Sequence, residues 1–216
     1  MAIPLKWNQE AGLMHHPGNV FVVSAPSGAG KSTLVQRLVS TVPGLIFSIS
    51  FTTRKPRPGE VDGRDYFYID DERFDTMVRE GGFVEWVQVY GHRYGTGRDW
   101  LNGMLATGQD VLLDIETTGA MNLRQAIPDA RMIFILPPSA ASLEARLRSR
   151  GKDSDEQIAI RMKHARHEVE LYPAYDYLVL NDDLELAYQQ FESIVLATRA
   201  SRERMAPAAQ RILEGF

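Results

Sequence analysis

The sequence predicts an α/β fold with a central parallel sheet flanked by helices and an inserted, mainly antiparallel lobe. Three observations predict it. Continuous apolar runs at 19–24 (NVFVVS), 110–115 (DVLLDI), 131–136 (RMIFIL) and 177–180 (YLVL) read as strands buried on both faces. Helical patterns separate them, as βαβ units require. The stretch 51–97 breaks this rhythm with Gly and Pro turns and the aromatic runs DYFYI and FVEWVQVY, the signature of a small β lobe.

The helices follow in order. Leu34, Val35, Leu38 and Val39 share one face of a helix over 32–42, which Pro43-Gly44 ends. Further helices are predicted over 118–126, 140–148 and 154–171. A last long one covers 184–205. Ser154 with Gln157 forms a capping-box pattern at the start of the 154–171 helix. Residues 1–17 read as an extension before the fold, 18–205 as one domain, and 206–216 as a helical end or tail.

Composition sets bounds. The 216 residues are 44% hydrophobic, enough for a sizeable core. A net charge of −4 argues against broad affinity for nucleic acid or an anionic membrane. No apolar window approaches the ~18 residues of a membrane span, and 1–17 lacks the apolar stretch of a secretory signal. Cysteine is absent, which excludes disulfides, thiolate catalysis and Cys-based zinc sites. A cytoplasmic location is the expectation.

The strongest local signal is Ala25, Pro26, Ser27, Gly28, Ala29, Gly30, Lys31, Ser32, Thr33, between a predicted strand and a predicted helix. That context makes it a P-loop. Glycines let backbone N–H groups turn inward around a phosphate chain, and the helix N-terminus adds its positive dipole end. Lys31 reaches the β- and γ-phosphates, and the Ser32 hydroxyl helps hold Mg²⁺. Ala25 stands where the usual pattern has its first Gly. The loop implies a nucleoside triphosphate but no particular acceptor: GTPases, motor ATPases and small-molecule kinases share it.

Arg54 and Arg57, stiffened by Pro56 and Pro58, can present two planar donor forks to one phosphate, or can belong to a basic surface loop. Tyr66 and Tyr94 offer phenolic donors. Arg146, Arg148, Arg150 and Arg161 flank a predicted helix–loop–helix. The pair His164 and His167 does not make an HExxH metal motif and reads as an exposed helix face. The aromatics of DYFYI read as core.

Taken together, the segments TTRKPRPGE…GRDYFY, FVEW, YGT, LDI, RLRSRG and NDD, running from about 19 to 205, resemble guanylate kinases. The resemblance implies a P-loop kinase with an acceptor-binding lobe over 51–97 and a lid over 146–161. It implies transfer of the γ-phosphoryl group of ATP to GMP with Mg²⁺ as cofactor. Arg54, Arg57, Tyr66 and Tyr94 are implied to bind the GMP phosphate. Glu85 is implied to accept from guanine N1–H and the 2-amino group, and Ser50 and Thr96 to contact the O6 side. Asp114 is implied to serve the Mg²⁺ water shell, the guanine site or both. Arg146, Arg150 and Arg161 would bear on the ATP phosphates, and Asn181 on adenine, while Arg148 is expected to be an ordinary surface residue. Two positions depart from the family pattern: Glu116 replaces the usual Asp after LDI, and Thr118 the usual Gln. Partners implied are ATP and GMP, with oligomeric state left open. The alternatives are a catalytically silent protein-binding module of the same fold, or a kinase for a different nucleoside monophosphate.

Overall fold

A computed structural model describes residues 17–89, 91–149 and 154–216. Residues 1–16 of the extension expected over 1–17, Tyr90, and residues 150–153 of the lid expected over 146–161, Arg150 among them, lie outside the described residues.

The centre is a five-stranded parallel sheet. Its strands are β1 (Val20–Ser24), β2 (Leu45–Phe47), β7 (Asp110–Asp114), β8 (Arg131–Leu136) and β9 (Tyr177–Leu180), in the order β2-β7-β1-β8-β9. The alternation of a strand sorts its side chains to two faces. Phe21, Val23, Leu112, Ile133, Ile135 and Val179 pack with α1 (Lys31–Thr41) and α7 (Leu184–Arg199) on one face. Val20, Val22, Val111, Leu113, Met132 and Phe134 pack with α3 (Arg98–Ala106) and α4 (Thr117–Ala126) on the other. Burial on both faces is why β1, β7 and β8 appear as unbroken apolar runs, whereas β9, expected to be buried on both faces, is an edge strand that buries only Val179.

The second sheet holds β3 (Phe51–Thr52), β4 (Phe67–Tyr68), β5 (Phe83–Val89) and β6 (His92–Gly97), in the order β4-β3-β6-β5. β3–β6 and β5–β6 pair antiparallel, and β3–β4 parallel. The lobe also contains a helix, α2 (Asp71–Arg79), capped by Asp70, whose carboxylate accepts from Arg73 N. Phe74 drops from α2 onto Phe83, with ring centroids 4.5 Å apart. The pair α5 (Ala140–Ser149) and α6 (Asp155–Glu170) lies beyond β8, and the Ser154/Gln157 capping box starts α6.

The single helix expected over 184–205 is two helices. α7 stops at Arg199, and α8 (Arg202–Leu213) starts from Ser201, whose side chain accepts from Arg204 N. The cap competes with helix continuation at that point. Pro207 sits inside α8.

A buried ion pair ties the end of α7 to the sheet. Asp110, 2% exposed, accepts from Arg199 Nε at 2.7 Å and from the backbone and side-chain nitrogens of Asn19 at 2.6 and 2.7 Å. Arg199 also donates to Pro43 O at 2.9 Å. Removing one partner strands a buried charge, so Arg199→Ala should cost about 3 kcal/mol. Urea denaturation measures it; a loss under about 1 kcal/mol, the range of an exposed pair, would contradict this account.

Candidate active site

β1 runs into the phosphate loop at the middle of the sheet. Ala29 N donates to Pro26 O at 3.0 Å to close the turn, and Gly28 and Gly30 take φ of 99° and 90°, a region side chains resist. Ala25 packs against the core beside this loop. Gly30 caps α1 without a side-chain hydrogen bond, so no side chain occupies the first N–H groups of the helix. Ser32 and Thr33 lie exposed in its first turn.

Lys31 forms an ion pair with Asp114 at the end of β7. Burial pushes the lysine pKa down to about 8, and the carboxylates of Glu116 and Glu168 pull the other way. At neutral pH the amine therefore remains a cation. Glu168, half-buried on α6, faces the Ser27 backbone N–H. Its carboxyl is raised by burial first and by Glu116 second, against the opposing pull of Lys31.

One cavity of about 340 Å³ joins this end of the sheet to the second lobe. Lys31, Asp114 and Glu116 line one side, and Ser50, Asp65, Tyr66, Glu85 and Tyr94 the other. Glu85 lies on β5, 5% exposed. Its Oε1 accepts from Thr96 Oγ1 at 2.7 Å, while Oε2 is buried with no hydrogen-bond partner. Burial pushes its carboxyl up to about 7, against the hydrogen bonds from the Thr96 side chain and backbone. A methyl group at Gly119 would stand 3.0 Å from that Oε2, so glycine keeps the space beside the acid open.

The expected phosphate-binding arginines have partners of their own. Arg54 forms a two-pronged pair with Glu60, both contacts at 2.9 Å, beneath the Tyr66 ring at 5.2 Å. Glu60 also accepts from Arg57 N at 2.7 Å and Tyr68 Oη at 2.8 Å, and these donors, Arg54 first, pull its carboxyl down to about 2. Arg54 is raised by the same contact. The Arg57 side chain is exposed. Tyr66 and Tyr94 pack at 5.9 Å, and burial, then Tyr94, raises the Tyr66 phenol.

Three of the expected site residues have partners within the protein itself. Thr96 was expected on the O6 side of the base; it is fully buried and its hydroxyl donates to Glu85. Arg146, expected at the ATP phosphates, donates to two backbone carbonyls, Ala29 O at 3.4 Å and Asn181 O at 3.2 Å. Asn181, expected at adenine, is buried and donates from Nδ2 to Ala29 O at 2.7 Å. Arg148 pairs with Glu144 and Asp155 on the surface, as its reading implied. Arg161 lies half-buried on α6. Sequence reasoning overlooked Glu60, Gly119, Glu168 and Ser48, whose buried hydroxyl also lines the cavity and lacks a partner. An acid six residues after Arg54 was the one local signal available.

A phosphate loop at the centre of a parallel sheet, facing an acid-lined lobe across one cavity, defines a P-loop phosphotransferase of the small-molecule kinase class. The guanylate kinase family model matches residues 18–198. A guanylate kinase from Bradyrhizobium diazoefficiens is 50% identical over 188 residues, covering 87% of this chain and 86% of that protein. One from Escherichia coli K12 is 48% identical over 196 residues, covering 90% and 93%. The crystal structure of guanylate kinase from Anaplasma phagocytophilum superposes with a TM-score of 0.71 at 30% identity, covering 88% of this chain and 90% of that one. The chain belongs to the guanylate kinase family.

Proposed function

We propose that this protein transfers the γ-phosphoryl group of ATP to GMP, giving ADP and GDP, in purine nucleotide recycling in the cytoplasm. The observation that carries the reading is the buried, unpartnered Glu85 Oε2 on the same cavity as Lys31. Guanine presents N–H donors at N1 and N2, where adenine presents an acceptor and a C–H. A carboxylate pairs with the first edge and repels the second.

In this reading a GMP phosphate oxygen attacks the γ-phosphorus as the bond to the β-phosphate oxygen breaks. The attacking oxygen is already anionic, so no protein nucleophile or strong base is required. Arg54, Arg57, Tyr66 and Tyr94 hold the acceptor phosphate. Ser50 flanks the base, and Thr96 holds Glu85 in place. The loop from Ala25 to Thr33 cradles the triphosphate, and Lys31, with Arg146, Arg150 and Arg161, offsets charge on the transferring group. Arg54 keeps the guanidinium fork a phosphate needs, since phosphate oxygens replace the Glu60 oxygens in kind.

Among the described residues no cluster of three or more His, Cys, Asp or Glu forms a metal cage. Ser32 and Asp114 are hard oxygen donors at the phosphate end, which suits Mg²⁺ arriving with the nucleotide. When bound, the ion neutralises β- and γ-phosphate charge.

A coupled assay with GMP, dGMP, AMP, CMP and UMP tests the reading. GMP should exceed AMP in kcat/KM by about 10⁴ or more. Purified protein inert toward GMP with Mg²⁺ and ATP would return the chain to a binding module, and a preference for AMP, CMP or UMP to another kinase.

A further inference from the structure

Asn181 follows β9, and its backbone is fixed by a hydrogen bond from its N–H to Leu136 O at 2.8 Å. Its side chain, in a residue 5% exposed, points away from solvent and into the phosphate loop. Nδ2 donates to Ala29 O at 2.7 Å, and Arg146 brings a second donor to that oxygen at 3.4 Å. The fit is tight: a Cβ on Gly30 would lie 2.3 Å from Asn181 Nδ2. Only glycine lets the loop backbone come this close to the amide.

A trans peptide points its C=O and the following N–H in opposite directions. Holding the Ala29 carbonyl toward Asn181 therefore fixes the Gly30 N–H on the far side. An inward-facing run of such N–H groups is what binds phosphate oxygens. We infer that Asn181 is a positioning residue of the phosphate loop: it clamps the Ala29 carbonyl, presets the Gly30 N–H for the triphosphate, and acts through the loop and not on the nucleobase. The inference rests on the phosphate-loop reading above. It also gives the carbonyl two donors from different elements, α5 and the segment after β9, so the loop is braced from the side of the α5–α6 pair.

The test separates phosphate from base. Magnesium tripolyphosphate, which has no base, and a non-hydrolysable ATP analogue are titrated calorimetrically into the wild type, Asn181→Ala and Asn181→Asp. Both variants should lose affinity for both ligands by the same factor, about tenfold, the loss expected for one buried hydrogen bond. In steady state KM for ATP should rise while KM for GMP holds. Loss of ATP-analogue affinity with tripolyphosphate binding unchanged would overturn the inference and make Asn181 an adenine contact. Unchanged binding of both would overturn it outright. If the variants do not fold, isotope-labelled wild type decides: the Asn181 side-chain amide resonance must move on adding tripolyphosphate, and movement with adenosine alone rejects the clamp. Wild-type protein that bound neither polyphosphate ligand would reject the phosphate-loop reading itself, a separate result.

Discussion

Glu85→Gln should lower kcat/KM for GMP by about 10³-fold or more while KM for ATP stays within about twofold of wild type, an interaction too small to count as a lost contact. The carboxylate lies in the wall of the cavity with one oxygen committed to Thr96 and the other unpaired. Two guanine N–H groups need two acceptors there. The Gln side chain presents an acceptor and a donor, so one favourable contact becomes N–H facing N–H inside a dry pocket. Equal loss for both nucleotides would reject the role. Its pH dependence follows from burial, which places the free carboxyl at about 7. Only the ionised form accepts from guanine, so KM for GMP should be flat above pH 7. It should climb about tenfold per unit well below, while the ATP profile stays level. Stability carries the opposite sign. A carboxyl whose folded pKa lies above its unfolded value of 4.5 stabilises the fold when protonated, and that contribution is lost as pH rises through 7. The Gln variant has no such charge to bury. Its stability relative to wild type should therefore improve by on the order of 3 kcal/mol between pH 5 and pH 8. Urea denaturation at the two pH values decides; no change between them sinks the assignment of a strained, desolvated acid.

The sequence made much of this site visible, and what it hid has a common cause. β1, β7, β8 and β9 are apolar on both faces, so each stands out as a run without any need for period. β2 is three residues long with one buried side chain, Leu45, and gives no pattern to read. α2 buries only Phe74, and its charged sequence DERFDTMVR lies among aromatic runs that favour strands. The break before α8 was legible only as Ser201, an N-cap inside a stretch whose helical periodicity continues across it. Loop and family motifs pointed to residues that line the cavity, among them Lys31, Tyr66, Glu85 and Asp114. They did not identify the residues that hold those in place. Thr96 stands eleven positions from Glu85 and Asn181 152 positions from Ala29. Such pairings are made by strand register and sheet order, which no local window contains.

Lys31→Met should reduce kcat by about 10³-fold with the fold intact. Removal of one preorganised charged donor from a transition state costs about 10² to 10³, and in the proposed reaction Lys31 would meet the transferring group where charge spreads over the phosphoryl oxygens. The substitution also leaves Asp114 without its cation. A bare carboxylate beside the phosphate loop repels the triphosphate, so the measured loss exceeds that of the missing ammonium. The double variant Lys31→Met/Asp114→Asn should therefore bind ATP more tightly than Lys31→Met alone, a coupling that additive effects cannot give. Equal affinity in the two variants rejects the charge argument. Thermal unfolding followed by circular dichroism checks the fold, and near-normal turnover in a folded Lys31→Met protein would remove the phosphate loop from the chemistry altogether.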